Sequence, residues 1–321
     1  MGFTTDNVPA RRLAQLAGVG GIAVGVIALT ALYSTKPINP LIAVASFVPI
    51  LLTITFAASL ICLAFRRWIL LAVSVALIAI GASVISPLYV ANSSQIDGPT
   101  LRVMQANLLF GQADPESLTA TVREKAVDVL TVQELTTSLE GSLRDQGLEQ
   151  LLPHHYLVPD EAGGGGAGIY SRFPLTDTRK LNGFGPTNLV AQVGFSTPFT
   201  LMAVHPGPAY VTPPDVWTTE LNTLRNALDA AAAQETVIVS GDFNTTFMHQ
   251  QFRDLLDVGY SDAADQLGVG IVRTYPADKK FPAIVGIDHV LVRGAQAKSL
   301  ERVEIEGSDH FGVIVDVTVP E

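Results

Sequence analysis

Several apolar, β-prone runs of the sequence are bordered by carboxylate, carboxamide or imidazole side chains, the groups that bind phosphate, hold metal ions and move protons. The clearest run is Val237–Ser240, which is typical of a buried strand, stops at Gly241 and is followed by Asp242 and Asn244. Two residues apart on an extended chain, these two side chains are expected to point the same way. The pair could form a polar site on a rigid scaffold, although Gly, Asp and Asn are also typical of an ordinary turn.

Three further runs carry residues of the same kinds at their ends. The first ends in a carboxamide, the second ends in a carboxamide followed by a carboxylate, and the third is preceded by a hydroxyl, a carboxylate and an imidazole. One such motif would be weak evidence of a relationship to a known family, whereas four in order along the chain are strong evidence. The three motifs are Val103-Met-Gln-Ala-Asn107, Asp128-Val-Leu-Thr-Val-Gln133-Glu134, and Ser308-Asp309-His310 before the run 311–317.

In type and in order along the chain, the four motifs resemble the endonuclease/exonuclease/phosphatase superfamily over about residues 100–319. The resemblance implies a DNase-I-like fold: a four-layer α/β sandwich of two mixed sheets, with helices outside and the site where strand ends converge. It also implies a metal-dependent hydrolase of phosphate ester bonds. Such chemistry needs charge neutralised on the phosphoryl oxygens, a water aimed in line and assistance for the leaving oxygen.

Three residues match positions that the family uses at or near its metal ion. Glu134 matches the metal-binding Glu, and Asn107 and Asp309 match positions beside the ion. Mg²⁺ is the expected cofactor, with Mn²⁺ as the alternative, because it prefers oxygen ligands and accepts one or two protein carboxylates. Without the resemblance, the same residues could be a capping Glu, a turn Asn and a loop Asp.

Five residues match the family's catalytic positions. Asp242 and Asn244 match the pair that orients the attacking water and the phosphate. His310 is expected beside the scissile phosphate, with Asp288 on its other ring nitrogen, where a carboxylate fixes the tautomer and favours the imidazolium. His205, which ends the run 201–205, matches a phosphate-contacting His of the nuclease and sphingomyelinase branches. Its alternative is a structural histidine after an apolar strand.

The elements that must position these residues alternate from residue 101 onward, as expected of an α/β domain. Apolar β-prone runs predict the strands, and the helix starts carry capping signals, of which Asp114 followed by Pro115 is the clearest. The predicted strands are 101–107, 129–133, 169–172, 189–195, 199–204, 237–240, 287–292 and 311–319. The predicted helices are 114–125, 136–147, 215–233 and 248–256.

The first 90 residues differ from the rest in hydropathy. Three runs almost free of charge, at about 14–33, 41–65 and 68–90, are each long enough to cross roughly 30 Å of hydrocarbon as a helix. A cleaved signal peptide is the alternative for the first run, because two arginines precede it. The two further runs favour a membrane domain of residues 1–90 with three transmembrane helices. A linker of residues 91–100 and a catalytic domain of residues 101–321 would follow.

The basic residues predict how these spans are oriented. Arg11-Arg12 precede the first span and Arg66-Arg67 separate the second from the third, whereas Lys36 stands alone between the first two. The positive-inside rule places both arginine pairs, and the N-terminus, in the cytoplasm. An odd number of spans then predicts a multi-pass protein of the cell membrane whose catalytic domain is extracytoplasmic.

Charge and architecture rank the candidate substrates. The chain carries −10 overall, and residues 1–90 carry five basic residues against one acidic residue, which leaves −14 on residues 91–321. Such acidity opposes a nucleic-acid partner, which usually meets a basic face. Three spans before this domain resemble the bacterial VanJ-type membrane branch, which implies the bilayer and a phosphorylated or pyrophosphate lipid as partners. An extracellular-facing nuclease acting on DNA or RNA is the alternative, and an inactive binding module is the third hypothesis.

Overall fold

The computed structural model describes residues 8–92 and 95–321 and divides the chain into two compact units. One unit is built on the chain up to Pro87, with Met248–Gln250, and the other runs from Leu88 to Phe247 and from Gln251 to Glu321. The predicted linker, residues 91–100, lies partly outside the described residues, because 93 and 94 are not among them.

The first unit is helical. Its helices are α1 (Val8–Leu32), α2 (Asn39–Ala45), α3 (Val48–Ala64) and α4 (Trp68–Ile85), and a 3₁₀ turn (Ser86–Tyr89) follows α4. Among the described residues, α1 and the stretch Trp68–Tyr89 are each long and apolar enough to cross a membrane, and α2 with α3 makes a third span only if the bent pair counts as one.

The second apolar run is therefore not the single helix 41–65 that the sequence predicts. The axes of α2 and α3 are bent by 73° at the break between them. Pro49 in the first turn of α3 explains the break, because proline lacks the N–H and its ring clashes with the carbonyl four residues earlier. The described part of the helical unit thus contains two helices, or three spans if the bent pair counts as one, that are long and apolar enough to cross a membrane.

Small residues on α1 allow α3 to approach closely. A Cβ added to Gly21 would lie 2.3 Å from Cβ of Ala58, so only glycine fits at this crossing. Thr55 of α3 donates its hydroxyl to the carbonyl of Gly21 at 3.1 Å. Close packing of small residues with an interhelical hydrogen bond is typical of membrane helices, where hydrocarbon offers no hydrophobic driving force between helices.

The second unit contains two six-stranded sheets within its described residues. The first has the order β11-β12-β1-β2-β4-β3 and the second the order β5-β6-β7-β8-β10-β9. The strands of the first sheet are β1 (Thr100–Asn107), β2 (Val129–Gln133), β3 (His154–Val158), β4 (Ala167–Ser171), β11 (Gln296–Glu304) and β12 (Phe311–Thr318). Those of the second are β5 (Leu175–Leu181), β6 (Asn188–Val193), β7 (Phe199–Val204), β8 (Val237–Asp242), β9 (Ser261–Asp262) and β10 (Asp288–Arg293).

Helices cover the outer faces of both sheets. One apolar core lies between the sheets, around Val103, Ile169 and Leu201. Two further cores lie under the helices, one around Leu118 and the other around Leu224. The layers are thus helix, sheet, sheet and helix, and the four-layer DNase-I-like sandwich predicted from the sequence is confirmed. The helices are α5 (Pro115–Glu124), α6 (Thr137–Asp145), α7 (Leu148–Leu151), α8 (Pro214–Ala231), α9 (Gln250–Leu256) and α10 (Ala263–Leu267).

The strand directions bring six strand ends to one end of the sandwich. β1 runs parallel to β2, and β7 runs parallel to β8, so each pair shares a carboxyl end. β12 is antiparallel to β1 and β10 is antiparallel to β8, so β12 and β10 begin where those strands end. In the second sheet Asp288 lies directly opposite Asp242. This end of the unit is called the catalytic end below.

Candidate active site

All eight residues predicted as site residues lie at the catalytic end. Asn107, Glu134, His205 and Asp242 come at or just beyond the carboxyl ends of β1, β2, β7 and β8. Asp288 opens β10, Asp309 and His310 precede β12, and Asn244 lies in the turn after β8. Every one is joined to another member of the set by a hydrogen bond or a carboxylate–imidazole contact.

Asn107 lies between two of the carboxylates. Its amide nitrogen donates to Oε1 of Glu134 and to Oδ2 of Asp242, both at 3.1 Å. Its orientation is fixed because its Oδ1 accepts the backbone N–H of Leu109 at 2.9 Å. The hydroxyl of Ser308 donates to the carbonyl of Asn107 at 2.7 Å, which joins the end of β1 to the turn before β12. Asn107 thus joins both sheets at the site.

Glu134 is held in a strained backbone conformation. Its φ is +59°, in the left-handed region that few residues other than glycine adopt, and its side chain is 13% exposed. Its Oε2 accepts the N–H of Phe110 at 2.8 Å, and Phe110 also has a positive φ of +52°. Strained residues persist where the surrounding structure over-determines them and cluster at functional sites. Burial raises the pKa of Glu134 above its ordinary value.

His310 lies between three carboxylates. Its Nδ1 is 2.9 Å from Oδ2 of Asp288, and its Nε2 is 3.8 Å from Oδ2 of Asp242 and 3.9 Å from Oδ1 of Asp309. Burial opposes the charged ring, but the carboxylates of Asp288 and Asp242 outweigh it and raise the pKa of His310 to about 10. Burial in turn raises the pKa of Asp242 to about 6, although the charge on His310 opposes this rise. His310 is therefore an imidazolium at neutral pH.

His205 has the opposite protonation state. Its Nε2 is 3.8 Å from Oε1 of Glu134 and 3.7 Å from Oδ2 of Asp242, and its side chain is only 3% exposed. Burial lowers the pKa of His205, so the ring is neutral at pH 7. Asn188 fixes the histidine backbone by accepting its N–H at 2.7 Å and donating to its carbonyl at 3.2 Å. The site thus holds one charged and one neutral imidazole.

Asn244 differs from the sequence prediction. β8 continues through Gly241 to Asp242, and Asn244 follows with a φ of +48°, so the alternation of a strand does not extend to it. Its N–H donates to Oδ1 of Asp242 at 2.8 Å, and its amide nitrogen donates to the carbonyl of Pro206 at 2.8 Å. Asn244 therefore orients Asp242 and ties the β8 turn to the segment that follows His205.

Sequence reasoning missed Gln105, which lies two residues before Asn107 on the buried part of β1. Its amide nitrogen donates to Oδ1 of Asp288 at 2.6 Å and to Oε1 of Gln133 at 3.0 Å. Both oxygens of Asp288 are therefore engaged, one by Gln105 from the opposite sheet and the other by His310. The signal in the sequence was a glutamine inside an apolar strand run, where a buried amide needs partners.

The charge of the site fits a divalent cation. The eight residues include the carboxylates of Glu134, Asp242, Asp288 and Asp309, with only His310 as a cation. Burial raises the pKa of three of these carboxylates, Glu134, Asp242 and Asp309, because desolvation disfavours their charged forms, and a nearby positive charge would offset that cost. A bound divalent ion would supply that charge, neutralise phosphoryl oxygens and lower the pKa of a bound water.

The two more accessible carboxylates, rather than the fully buried ones, suit the ion. Asp242, Asp288 and His310 offer ligand atoms within 4.8 Å of one another. However, the side chains of Asp242 and Asp288 are 2% and 0% exposed, and His310 is protonated and donates to Asp288. Mg²⁺ keeps several waters and prefers carboxylate oxygens. Glu134 and Asp309, with side chains 13% and 21% exposed, would hold such a hydrated ion, beside Asn107.

Comparisons with known proteins place this site in a family. A family model described as Endonuclease/Exonuclease/phosphatase family matches residues 104–310, which is more than half of the chain and includes all eight site residues. The chain belongs to this family. The predicted enzyme class, a metal-dependent hydrolase acting on phosphate ester bonds, is confirmed by this membership. No curated protein matched the sequence.

Solved structures show the same fold at low sequence identity. TDP2 from D. rerio, in complex with a single-strand DNA product, aligns with a TM-score of 0.57 and 19% identity, covering 68% of this chain and 99% of that one. An endonuclease/exonuclease/phosphatase from Beutenbergia cavernae gives 0.52 and 18%, covering 69% and 72%. The mannosyl-6-phosphatase of Bacteroides thetaiotaomicron gives 0.50 and 15%, covering 68% and 99%. Similar folds with such different substrates leave the substrate to be argued from this chain.

Proposed function

We propose that this protein is a membrane-anchored, extracytoplasmic phosphoesterase that uses Mg²⁺ to hydrolyse a phosphate ester or pyrophosphate bond of an envelope lipid. The observation that supports it is the joining of this family's site to apolar helices through a short segment of chain. α4 ends at Ile85, and β1 of the catalytic unit begins at Thr100. A site tethered so closely to a bilayer meets lipid head groups at high effective concentration.

The segment of chain at the start of the catalytic unit, residues 88–92, is hydrogen-bonded to the rest of that unit and is not a free linker. The carbonyl of Leu88 accepts the N–H of Gly270 at 2.8 Å, and the N–H of Asn92 donates to the carbonyl of Gln266 at 3.0 Å. A Cβ on Gly270 would lie 2.3 Å from the ring of Tyr89, so this contact depends on glycine. The catalytic unit is thus held from a point three residues beyond the end of α4, which suits a substrate in the same membrane.

In this proposal each residue has a role set by its protonation and contacts. Asp242, ionised above its pKa of about 6, would accept a hydrogen bond from the attacking water and take up its proton. His310, an imidazolium held by Asp288, would stabilise negative charge on a phosphoryl oxygen. Glu134 and Asp309, with Asn107 between the sheets, would hold the metal ion.

His205 and Asn244 complete the proposed site. His205 is neutral, so one ring nitrogen would donate to a phosphoryl oxygen without adding a second positive charge beside His310. Its Nδ1 has no hydrogen-bond partner among the described residues. Asn244 orients Asp242 through its backbone N–H, and Pro206 accepts one N–H of its amide, so the second amide N–H would donate to a phosphoryl oxygen.

The proposed side of the membrane depends on the bent helix pair α2 and α3. If the pair crosses the bilayer, three spans place the catalytic unit opposite the N-terminus, which Arg11 and Arg12 favour in the cytoplasm. If it re-enters on the same side, two spans leave the catalytic unit in the cytoplasm. The proposal takes the three-span arrangement because Arg66-Arg67, between α3 and α4, then also lies on the cytoplasmic side.

A substrate panel tests the proposal. The full chain in liposomes is given undecaprenyl pyrophosphate, sphingomyelin, phosphoinositides, plasmid DNA and RNA, each with Mg²⁺ and with a chelator, and phosphate or product release is measured. Glu134→Gln serves as the matched inactive control, because it keeps the size and loses the charge. We expect a lipid phosphate to be turned over fastest, and only with Mg²⁺. Efficient cleavage of DNA or RNA with every lipid untouched would establish the nuclease alternative instead.

A further inference from the structure

Exposed large apolar side chains in the catalytic unit are unevenly distributed. Among residues 88–92 and 95–321, they lie on loops at the catalytic end, at the start of α8, and around the contact between residues 88–92 and the loop that contains Gly270. None of them lies on one of the twelve strands. They are Tyr89, Val90, Phe110, Tyr210, Val211, Val216, Val269, Phe281 and Ile284. Apolar exposure gathered in this way marks an interaction surface, whereas scattered single residues need no explanation.

Five of these residues come from three loops next to the site and are called the mouth rim: Phe110, Tyr210, Val211, Phe281 and Ile284. Phe110 is 51% exposed while its N–H donates to Glu134. Tyr210 lies five residues beyond His205 and is 79% exposed, with Val211 beside it at 70%. The pKa of Tyr210 is raised by burial, by the neighbouring Tyr275 and by the carboxylate of Asp309, which agrees with a position of Tyr210 near the site.

The third loop, residues 275–285, is anchored directly to the catalytic histidine segment. The ring of Tyr275 lies 4.9 Å from that of His310, and the N–H of Ala277 donates to the carbonyl of Asp309 at 2.7 Å. The loop closes on itself because Ile284 and Val285 both donate to the carbonyl of Tyr275, at 2.9 and 3.0 Å. Phe281, 53% exposed, therefore projects from a loop whose base packs on the site.

The same loop carries positive charge in an acidic domain. Lys279 and Lys280 are exposed and immediately precede Phe281, and Lys279 forms an ion pair with Asp278. Lysine beside an exposed aromatic side chain is the usual composition of a segment that rests in the interface of a bilayer with anionic lipids.

The chain itself limits how far the mouth rim can be from the membrane anchor. Gly270, which holds Leu88, is five residues from Tyr275, and five residues span at most about 17 Å. Leu88 is in turn three residues beyond the last residue of α4. The loop 275–285 therefore begins only a short stretch of chain away from the segment that follows α4.

We propose that the mouth rim inserts into the lipid layer, so that Phe281 and Ile284 contact acyl or prenyl chains while the lipid phosphate enters the site between Glu134 and His310. The inference rests on the proposed membrane-anchored phosphoesterase and adds how the substrate is reached. The apolar part of the lipid stays against apolar side chains, and only its head group leaves the interface. This avoids exposing a long hydrocarbon chain to water, which is unfavourable roughly in proportion to the apolar area exposed.

The position of the loop can be measured without any turnover. In a Cys62→Ala background, Phe281→Cys and Ser196→Cys are labelled with an environment-sensitive fluorophore in the full chain, reconstituted into liposomes. Ser196 is exposed in the turn between β6 and β7, at the opposite end of the sandwich, and serves as the matched control. We expect blue-shifted emission at position 281 that nitroxide-bearing lipids quench, and water-like emission at position 196.

The outcomes separate this inference from the proposed function. A label at 281 that is as water-exposed as the one at 196 overturns insertion, and a blue-shifted label that nitroxide lipids do not quench assigns the rim to a protein contact instead. In parallel, the double variant Phe281→Ser/Ile284→Ser should lose at least tenfold in the rate on bilayer substrate while hydrolysis of a soluble aryl phosphodiester changes less than twofold. If no lipid is hydrolysed by the wild type, the proposed function fails while the label still reports the rim.

Discussion

The pair of Asp288 and His310 offers the sharpest test of the proposed chemistry. In the substitution Asp288→Asn the side chain keeps its size but loses the charge. Its NH2 group replaces one of the two acceptor oxygens, so the amide of Gln105 must turn over to accept from it. Oδ2 of Asp288 is 2.9 Å from Nδ1 of His310, and the Asp288 side chain is 0% exposed, so no solvent screens the interaction. We therefore expect the variant to keep its fold and to lose the charged form of His310 at alkaline pH, where the wild type still keeps it.

The size of the effect follows from the pKa of His310. A rise from 6.5 to about 10 corresponds to roughly 5 kcal/mol in favour of the protonated ring. Of the three carboxylates that raise the pKa of His310, Asp288 has the largest effect and is the one hydrogen-bonded to the ring. We therefore assign to Asp288 about half of this free energy, roughly 2–3 kcal/mol or about two pKa units. The pKa of His310 should then fall to near 8. At pH 9 the protonated fraction of His310 would then fall from about nine tenths to about one tenth, so the rate should drop by about tenfold.

The assay is the pH profile of kcat/KM on a soluble aryl phosphodiester between pH 5 and 10.5. In the wild type the acidic limb belongs to Asp242, near 6, and the alkaline limb to His310, near 10. Asp262→Asn is the matched control, because Asp262 forms a second buried carboxylate–imidazole pair, with His289 at 2.6 Å on the other face of β10. The control should lower stability and leave the alkaline limb in place.

Stability gives a second readout with a defined sign. Because the folded pKa of His310 is raised, its contribution to the free energy of unfolding is fully present below pH 6.5 and is lost as pH rises from 6.5 toward 10. Asp288→Asn should flatten that loss. An alkaline limb that stays near 10 in Asp288→Asn, or that moves equally in Asp262→Asn, would refute the assignment of the limb to this pair.

Three further predictions address the metal, the cooperation of residues and the topology. Glu134→Gln should reduce kcat/KM by at least 10²-fold at low Mg²⁺, and activity of this variant within threefold of wild type would remove Glu134 from the metal site. In the wild type, raising the Mg²⁺ concentration should shift the acidic limb of the pH profile to lower pH. Asp242→Asn and His310→Ala should each lower kcat strongly, and the double variant should cost much less than the sum, because both act on one transition state; additive losses in the cycle would separate them. A reporter fused after Glu321 should lie outside the cytoplasm, so alkaline phosphatase should be active there and GFP should not fluoresce. Inactive alkaline phosphatase with fluorescent GFP would indicate that α2 and α3 enter and leave the membrane on the same side.

The fold and the gathering of the candidate site residues at one end of the sheets could be predicted because four motifs at strand ends resemble the family in type and order. Polar residues that end apolar runs, as Asn107 and Asp242 do, must gather where parallel strands share a carboxyl end, whatever the details of packing. The strands missed by the sequence pattern were edge or polar ones. β5 carries Asp177, Arg179 and Lys180 and is largely exposed, so no alternation of apolar residues announces it.

What could not be predicted depends on geometry beyond a strand. The orientation of Asn244 follows from a single positive φ, which no period-2 pattern contains. The partner that holds Asp288 is Gln105, 183 residues away and in the other sheet, so only the packing of the two sheets brings them together. Pro49 indicates a break between α2 and α3, because proline disrupts a continuing helix. Hydropathy alone nevertheless joins both helices into one apolar run.

The central claim is that this site hydrolyses a lipid phosphate in the membrane that anchors it. The most direct measurement is a competition in one vessel, with the full chain in liposomes that contain undecaprenyl pyrophosphate and with plasmid DNA in the surrounding buffer, at fixed Mg²⁺ and physiological salt. The account predicts release of phosphate from the lipid while the plasmid stays intact, and neither reaction with Glu134→Gln. Nicked or degraded plasmid beside unchanged lipid would contradict the account.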